Sequence, residues 1–294
     1  MKSIVAILAL FLAMTVTVAQ ESLVLSELLY QPHSGEAEYV ELYNNTAYDI
    51  DIADYHIVRW VGDSLGTHYP LPHHTVAAHD YVVLTKDAAS VANNYSVHYL
   101  ANVVQCNLPT YPNNGGSVVL CTADSTIVEK FDYNPAMHSR QLRNKAGVSL
   151  ERRRFNRPVN EEGNWFSASS VCGYGTPGYE NSQSIEYLVE ESCFDFSSTL
   201  LSPNDDGFQD NLEIEYRLDD GSLAARAEIY DATGRMVRCL LNNGLLGTHG
   251  MIQWDGRNDN GTVVQQGHYV LSIVVYDLSG KTQVIRRTIA LLTY

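Results

Sequence analysis

Positive charge is scarce in this chain: 19 Lys and Arg stand against 34 Asp and Glu, a formal net charge of -15. The whole-chain field therefore repels nucleic acid and anionic membranes. Apolar runs are short. After Ile4 to Val18 none approaches the roughly eighteen residues that a membrane-crossing helix needs, so no transmembrane segment is expected. Long stretches of Ala, Leu, Lys and Glu are lacking, whereas 19 Tyr accompany many Val, Ile and Thr, so helix should be minor and strand dominant. G-x-S-x-G, H-E-x-x-H, C-x-x-C and the phosphate-binding G-x-x-x-x-G-K-[ST] are also missing, which removes the common nucleophile, zinc and phosphate motifs. Five Cys leave at least one unpaired.

The beginning of the chain supplies a direction. One Lys is followed by the apolar run and the small-residue exit Thr17-Val18-Ala19, the arrangement of a cleavable secretory signal over residues 1–19. The first Cys is Cys106, so lipid attachment at the cleavage point is not indicated. An exported protein is expected, at the cell surface or outside the cell, with the periplasm as the alternative.

Strand patterning recurs. In "EYVELYN", Val40 and Leu42 face one way and Tyr39, Glu41 and Tyr43 the other, which predicts one buried and one wet face; "LEIEYRL" repeats the pattern from Leu212 to Leu218. Turn residues separate such segments at Asn113-Asn114-Gly115-Gly116, Asn242-Asn243-Gly244 and Asn260-Gly261. Many short strands at this spacing argue for all-β sandwiches. One helical turn is expected within Asp87 to Asn93. "GTPGYENSQS" and the acidic run after it read as linker chemistry. The chain divides into a signal at 1–19, a first domain at 20–180, a linker at 181–197 and a second domain at 198–294.

Four groups of residues could carry chemistry. His68, His73, His74 and His79 cluster in sequence, either as exposed loop histidines or as metal ligands. From Ser202, oxygen donors fall at Asn204, Asp206 and Asp210 with Gly207 sixth and Glu213 twelfth, the spacing of a Ca2+ loop; the other reading is an acidic turn before a strand. Arg140, Arg143, Lys145, Arg152, Arg153, Arg154 and Arg157 concentrate positive charge, either as a solvated face or as a seat for an anionic polysaccharide, lipopolysaccharide or nucleic-acid backbone. Cys106 and Cys121 flank the Asn113-Asn114 turn symmetrically and would pair across a simple hairpin. Cys172 and Cys193 could tie the two domains together, leaving Cys239 as a buried free thiol. Asn44, Asn94 and Asn260 begin N-x-[ST] triplets.

The segments "LSELLYQPHSGEAEYVELYNNTAYDIDIADYHI" from Leu25, "HDYVVLT" from His79, "NNGGSVVL" from Asn113, "GVSLERRRFN", "NWFSASS" and "GTPG" occur in the order of the lamin tail domain family, which this region resembles. The resemblance implies an Ig-like β-sandwich that binds or adheres and does not catalyse. "LSPNDDGFQDNLEIEYRL", "AEIYDATGRMVRCLL" and "GTHGMIQWDGRNDNGTVVQQGHYVLSIVVYD" resemble the Ig-like domain of the hook-capping protein FlgD and the C-terminal domains of Bacteroidetes secreted proteins. That implies an Ig or fibronectin III-like sandwich, in some relatives a type IX secretion sorting signal. Here the closing "RRTIALLTY" lacks the short basic tail of the sorting versions.

Three functions fit these features. The first is a non-enzymatic binding, adhesion or structural protein, with a protein or surface polysaccharide as partner and the type IX secretion machinery as a second. The others are a subunit of a secretion or surface-appendage machine and a metal-dependent enzyme.

Overall fold

The computed structural model describes residues 23–185, 193–219 and 221–292. The expected signal at 1–19 lies outside the described residues. The first module contains β1 (Leu23–Leu29), β2 (Tyr39–Asn44), β3 (Ile50–Asp51), β4 (Tyr55–Val61), β5 (Ser64–Pro70), β6 (Thr75–Val76), β7 (Tyr81–Thr85), α1 (Ala88–Asn94), β8 (Val103–Gln105), β9 (Gly116–Thr122), β10 (Ile127–Tyr133), β11 (Leu150–Arg152) and β12 (Trp165–Ser167). Two sheets, ordered β12-β11-β1-β2-β7-β8 and β10-β9-β4-β5, enclose its core. Phe131 and Trp165 stack there at 3.8 Å, the sort of burial that contributes about 1.5–3 kcal/mol per side chain. The helical turn expected near Asp87 is present: the Asp87 carboxylate accepts from the Ser90 amide and caps α1.

The second module contains β13 (Cys193–Phe196), β14 (Leu200–Leu201), β15 (Leu212–Arg217), β16 (Ala224–Asp231), β17 (Met236–Leu245), β18 (His249–Trp254), β19 (Gly267–Tyr276) and β20 (Thr282–Leu291). Its sheets run β13-β15-β18 and β14-β20-β19-β16-β17. β15 alternates as its sequence predicts, with Leu212, Ile214 and Tyr216 buried and Glu215 and Arg217 exposed. β19 likewise sends Tyr269, Leu271, Ile273 and Val275 into the core around Trp254.

β1 and β2 depart from that pattern. All seven residues of β1 and all but Tyr43 in β2 are buried, so the wet face expected for Tyr39 and Glu41 does not exist. The outer side of this sheet is covered by α1 and by a later segment of chain. Arg152, at the end of β11, reaches between the sheets. Its guanidinium donates to Glu129 of β10 at 2.9 Å and to the Leu25 carbonyl at 3.1 Å, joining the two layers at their edge.

Candidate functional site

Strand register builds the densest polar group. Glu27 on β1 lies opposite Glu41 on β2 and opposite Glu151 on β11, so three carboxylates form a row across the outer face of the six-stranded sheet. All three are fully buried. The cover is a strap, residues 174–183, which supplies donors along the row. The Gly178 amide donates to Glu41 at 2.6 Å, and the Thr176 amide to Glu27 at 3.0 Å. Glu151 accepts from the Thr176 hydroxyl at 2.9 Å, the Ser182 hydroxyl at 2.8 Å and the Gln183 amide at 2.9 Å. Tyr39 and Ser149 hydroxyls also donate to Glu27, and Asn181 donates to the Ser26 and Arg152 carbonyls at 3.0 and 2.9 Å.

Three carboxylates side by side away from water resist full ionisation. Burial raises the pKa of Glu27 and raises that of Glu41 well above the ordinary value, with the Glu27 charge adding to the second. Glu151 is pushed up to about 8, by burial first and then by Glu27. At neutral pH the row therefore keeps protons.

The same strap reaches the second module. The Gln183 amide nitrogen donates to the Ser167 carbonyl at 2.8 Å and across the interface to the carbonyls of Gly221 and Leu246 at 3.3 and 3.4 Å. The Thr248 amide donates to the Ser182 carbonyl at 2.9 Å and its hydroxyl to the Ser184 carbonyl at 2.6 Å. The Ser170 amide and hydroxyl donate to the Leu245 carbonyl at 2.8 and 2.7 Å. Three glycines permit the approach: an added Cβ would overlap the Gln183 side chain at Gly221, the Ser182 carbonyl at Gly247 and the Ser170 hydroxyl at Gly244. Asn181, Ser182 and Gln183, assigned to a linker on composition, are thus buried parts of a joint. Of the rest of that assigned linker, residues 186–192 lie outside the described residues, and Cys193–Phe196 are not linker but strand β13, paired with β15 of the second module.

The basic residues do not form one surface. Arg152 is buried in its ion pair, and the Lys145 ammonium donates to the Pro135 carbonyl at 2.6 Å. Arg140 and Arg143 are exposed elsewhere in the loop. Arg153, Arg154 and Arg157 do meet, in a cleft of about 270 Å³ shared with Glu161, Glu162, Gly163, Asn164 and Ile185. Arg157 lies 3.9 Å from Glu161, so part of the positive charge is answered within the cleft. Phe155, which follows Arg154 in the chain, stacks on Tyr43 at 4.4 Å, and Tyr43 packs on Tyr81 at 4.8 Å.

In the loop before β15, Asn204, Asp206 and Asp210 come together but turn their oxygens inward. The Asp210 carboxylate accepts from the amides of Asn204, Asp205 and Gly207 at 3.0, 2.7 and 2.7 Å, and those donors hold its pKa below the ordinary value against the opposing effect of burial. A cation here would compete with these amides. Ser202 is buried at the loop's start, and Glu213 on β15 accepts from its cross-strand neighbour Gln253 on β18 at 3.2 Å.

The four histidines separate. His73 contacts Asp51 at 2.9 Å, the His74 amide donates to the same carboxylate at 3.2 Å, His79 lies against Tyr43, and His68 contacts His56. All five cysteines are free thiols, so neither expected disulfide forms. Cys106 follows β8, which pairs in parallel with β7, while Cys121 lies on β9 between β4 and β10; the simple hairpin that would oppose them is not built. The Cys172 thiol donates to the Ser169 carbonyl at 3.1 Å, whereas Cys193 sits on β13 beside Asp195. Cys239 is half-buried on β17. Asn44 is fully buried and its amide donates to the Tyr48, Val76 and Ala77 carbonyls, which removes it as a glycan acceptor in the folded chain.

The glutamate row escaped sequence reasoning, although one signal for it exists. "LVLSELLY" is nearly continuous in apolar residues, the mark of a strand covered on both faces, and a Glu inside such a run must be buried.

Comparison with known families gives two matches. The Lamin Tail Domain model matches residues 17–135 and the FlgD Ig-like domain model residues 200–279. β11, β12 and the strap therefore lie beyond the first matched segment. No curated protein matches the chain. Among solved structures, latent PorU from Porphyromonas gingivalis is similar at 10% identity over 93% of this chain and 34% of that one, with a TM-score of 0.27. PorZ, described as an essential surface component of the type IX secretion system of the same bacterium, is similar at 13% identity over 91% of this chain and 38% of that one, with a TM-score of 0.25. A β-glycosidase from Bacteroides vulgatus is similar at 8% identity over 92% and 25% of the two chains, with a TM-score of 0.20. The chain spans well under two thirds of each of these proteins, and likenesses at such scores carry no argument about its activity. The fold and the two matches together identify a lamin tail domain joined to a FlgD Ig-like domain, two β-sandwiches in tandem.

Proposed function

We propose that this is an exported, non-enzymatic binding or structural protein of the cell surface or extracellular space. In this reading the lamin tail module holds a partner protein or surface polysaccharide, and the Ig-like module serves secretion, anchoring or assembly, with the type IX secretion machinery as its handler. The observation that carries the reading is the use of the densest polar cluster. Glu27, Glu41 and Glu151 are closed over by the strap, whose Ser182 and Gln183 in turn bond to the second module, a construction that suits a scaffold. A surface role also suits a net charge of -15, which keeps an exported chain soluble.

The partner site that the geometry favours is the cleft of Arg153, Arg154 and Arg157 beside the Phe155–Tyr43 stack, where an acidic sugar chain would find guanidinium donors next to aromatic rings. Fractionation of the host with surface proteolysis tests the location: protein reached by external protease supports the proposal, and intact protein confined to the periplasm overturns it. Retention on heparin, used as a polyanionic glycan probe, tests the cleft. Arg154→Glu with Arg157→Glu should abolish salt-sensitive retention, and unchanged retention removes the cleft from the proposal.

A further inference from the structure

We propose that His56 and His68 form a zinc site on the outer face of the four-stranded sheet of the lamin tail module. The two side chains come from neighbouring strands, β4 and β5. A register shift between Val58 and Trp60 leaves Val58 opposite His68, so His56, Val58 and His68 project from the same face. The bulge needs Gly66, where an added Cβ would stand 2.8 Å from the Arg59 carbonyl oxygen. His56 and His68 are thereby diagonal neighbours, a separation that long side chains span.

The floor beneath them is apolar and buried. Val58, Val119 and Cys121 are fully buried on this outer face, flanked by Trp60 and Leu65. Against that floor the two imidazoles stand at 85° to each other, both half-buried, with their Nδ1 atoms 3.2 Å apart. Zinc–nitrogen bonds of about 2.0–2.1 Å in tetrahedral geometry place two ligand nitrogens about 3.3 Å apart. A square-planar ion holding them in adjacent positions would need about 2.9 Å. The observed spacing fits the tetrahedral ion. Zinc would replace the present nitrogen-to-nitrogen contact by bridging the same two atoms.

The protein supplies two ligands. Among the described residues no group of three or more His, Cys, Asp or Glu is placed to hold a metal, and the Cys121 thiol is turned to the His56 carbonyl at 3.8 Å. Two coordination positions are therefore left for water or for a donor from another molecule. That makes the site suited to joining this face to a partner through the metal, and unlike a closed structural site.

The test uses full-length protein freed of metal with a chelator and titrated calorimetrically with zinc chloride. The parent and a His73→Ala, His74→Ala control should each bind one zinc ion that His56→Ala, His68→Ala does not. Co2+ bound to the parent should show the intense visible bands of tetrahedral coordination. His56→Gln, His68→Gln, which keeps polar side chains on the same floor, should also lose the ion while melting as the parent does. Absence of zinc binding by the parent, retention of it by either of the two His56, His68 double variants, or the weak bands of octahedral Co2+ would overturn the proposal.

Discussion

Replacing Glu151 by Gln isolates the proton that the glutamate row holds. The amide is the same size, and its oxygen can keep the place of the Glu151 oxygen that accepts from Ser182 and Gln183. Its nitrogen would then face the Thr176 hydroxyl, which can accept as well as donate. The change therefore removes a titration with little loss of packing. In the folded chain Glu151 loses its proton near pH 8, and in the unfolded chain near the ordinary value of 4.5. Between those values the folded state binds more protons than the unfolded state, so stability falls as pH rises, by at most about 1.4 kcal/mol per pH unit for one proton. The contribution is fully present below pH 4.5 and is lost through pH 8. Glu27 and Glu41 shift in the same direction and steepen the fall. Urea unfolding at pH 5.5, 7.0 and 8.5 should show the parent losing stability across the series and E151Q losing about 1–3 kcal/mol less. Parallel losses in the two proteins would refute the assignment of the proton to Glu151.

Other consequences follow from the joint and the core. Gly247→Ala places a methyl group against the Ser182 carbonyl and should cost about 1–3 kcal/mol, read by urea unfolding, while widening the scattering envelope of the intact chain. Trp165→Ala removes the stack on Phe131 and the indole donation to the Val159 carbonyl at 2.7 Å, and should cost about 3–5 kcal/mol in the same assay. Asp210→Ala strips three backbone amides of their acceptor; faster hydrogen exchange confined to residues 204–207 is the expected result. Alkylation of denatured, unreduced protein should label five thiols per chain, and peptide mapping that finds a 106–121 or 172–193 linkage would contradict the free cysteines.

Local pattern made the sandwiches legible. The strands of "LEIEYRL" and "YVLSIVVY" alternate cleanly because each meets the core on one side and water on the other. β2 looks similar and behaves differently, since its second face is covered by residues some 135 positions later, a cover that no strand-length window contains. The cysteines misled for a related reason. Symmetry about Asn113-Asn114 suggested a hairpin, but the chain before that turn joins the other sheet. The basic run was visible as composition, while the division of its guanidinium groups between an inter-sheet ion pair and a surface cleft depends on Glu129 and Glu161 being brought near in three dimensions. The composition of "GTPGYENSQ" reads as a linker, and the segment is irregular backbone but largely buried. Its burial follows from the glutamates that it satisfies.

Hydrogen exchange of the intact chain at single-residue resolution tests most directly whether the two modules form one joined body. The Ser170 and Thr248 amides, which donate across the joint to the Leu245 and Ser182 carbonyls, should be protected, together with the Gln183 amide on Glu151. Exchange of the Ser170 and Thr248 amides at the rate of unstructured chain, with the strands of both modules still protected, would contradict the joint.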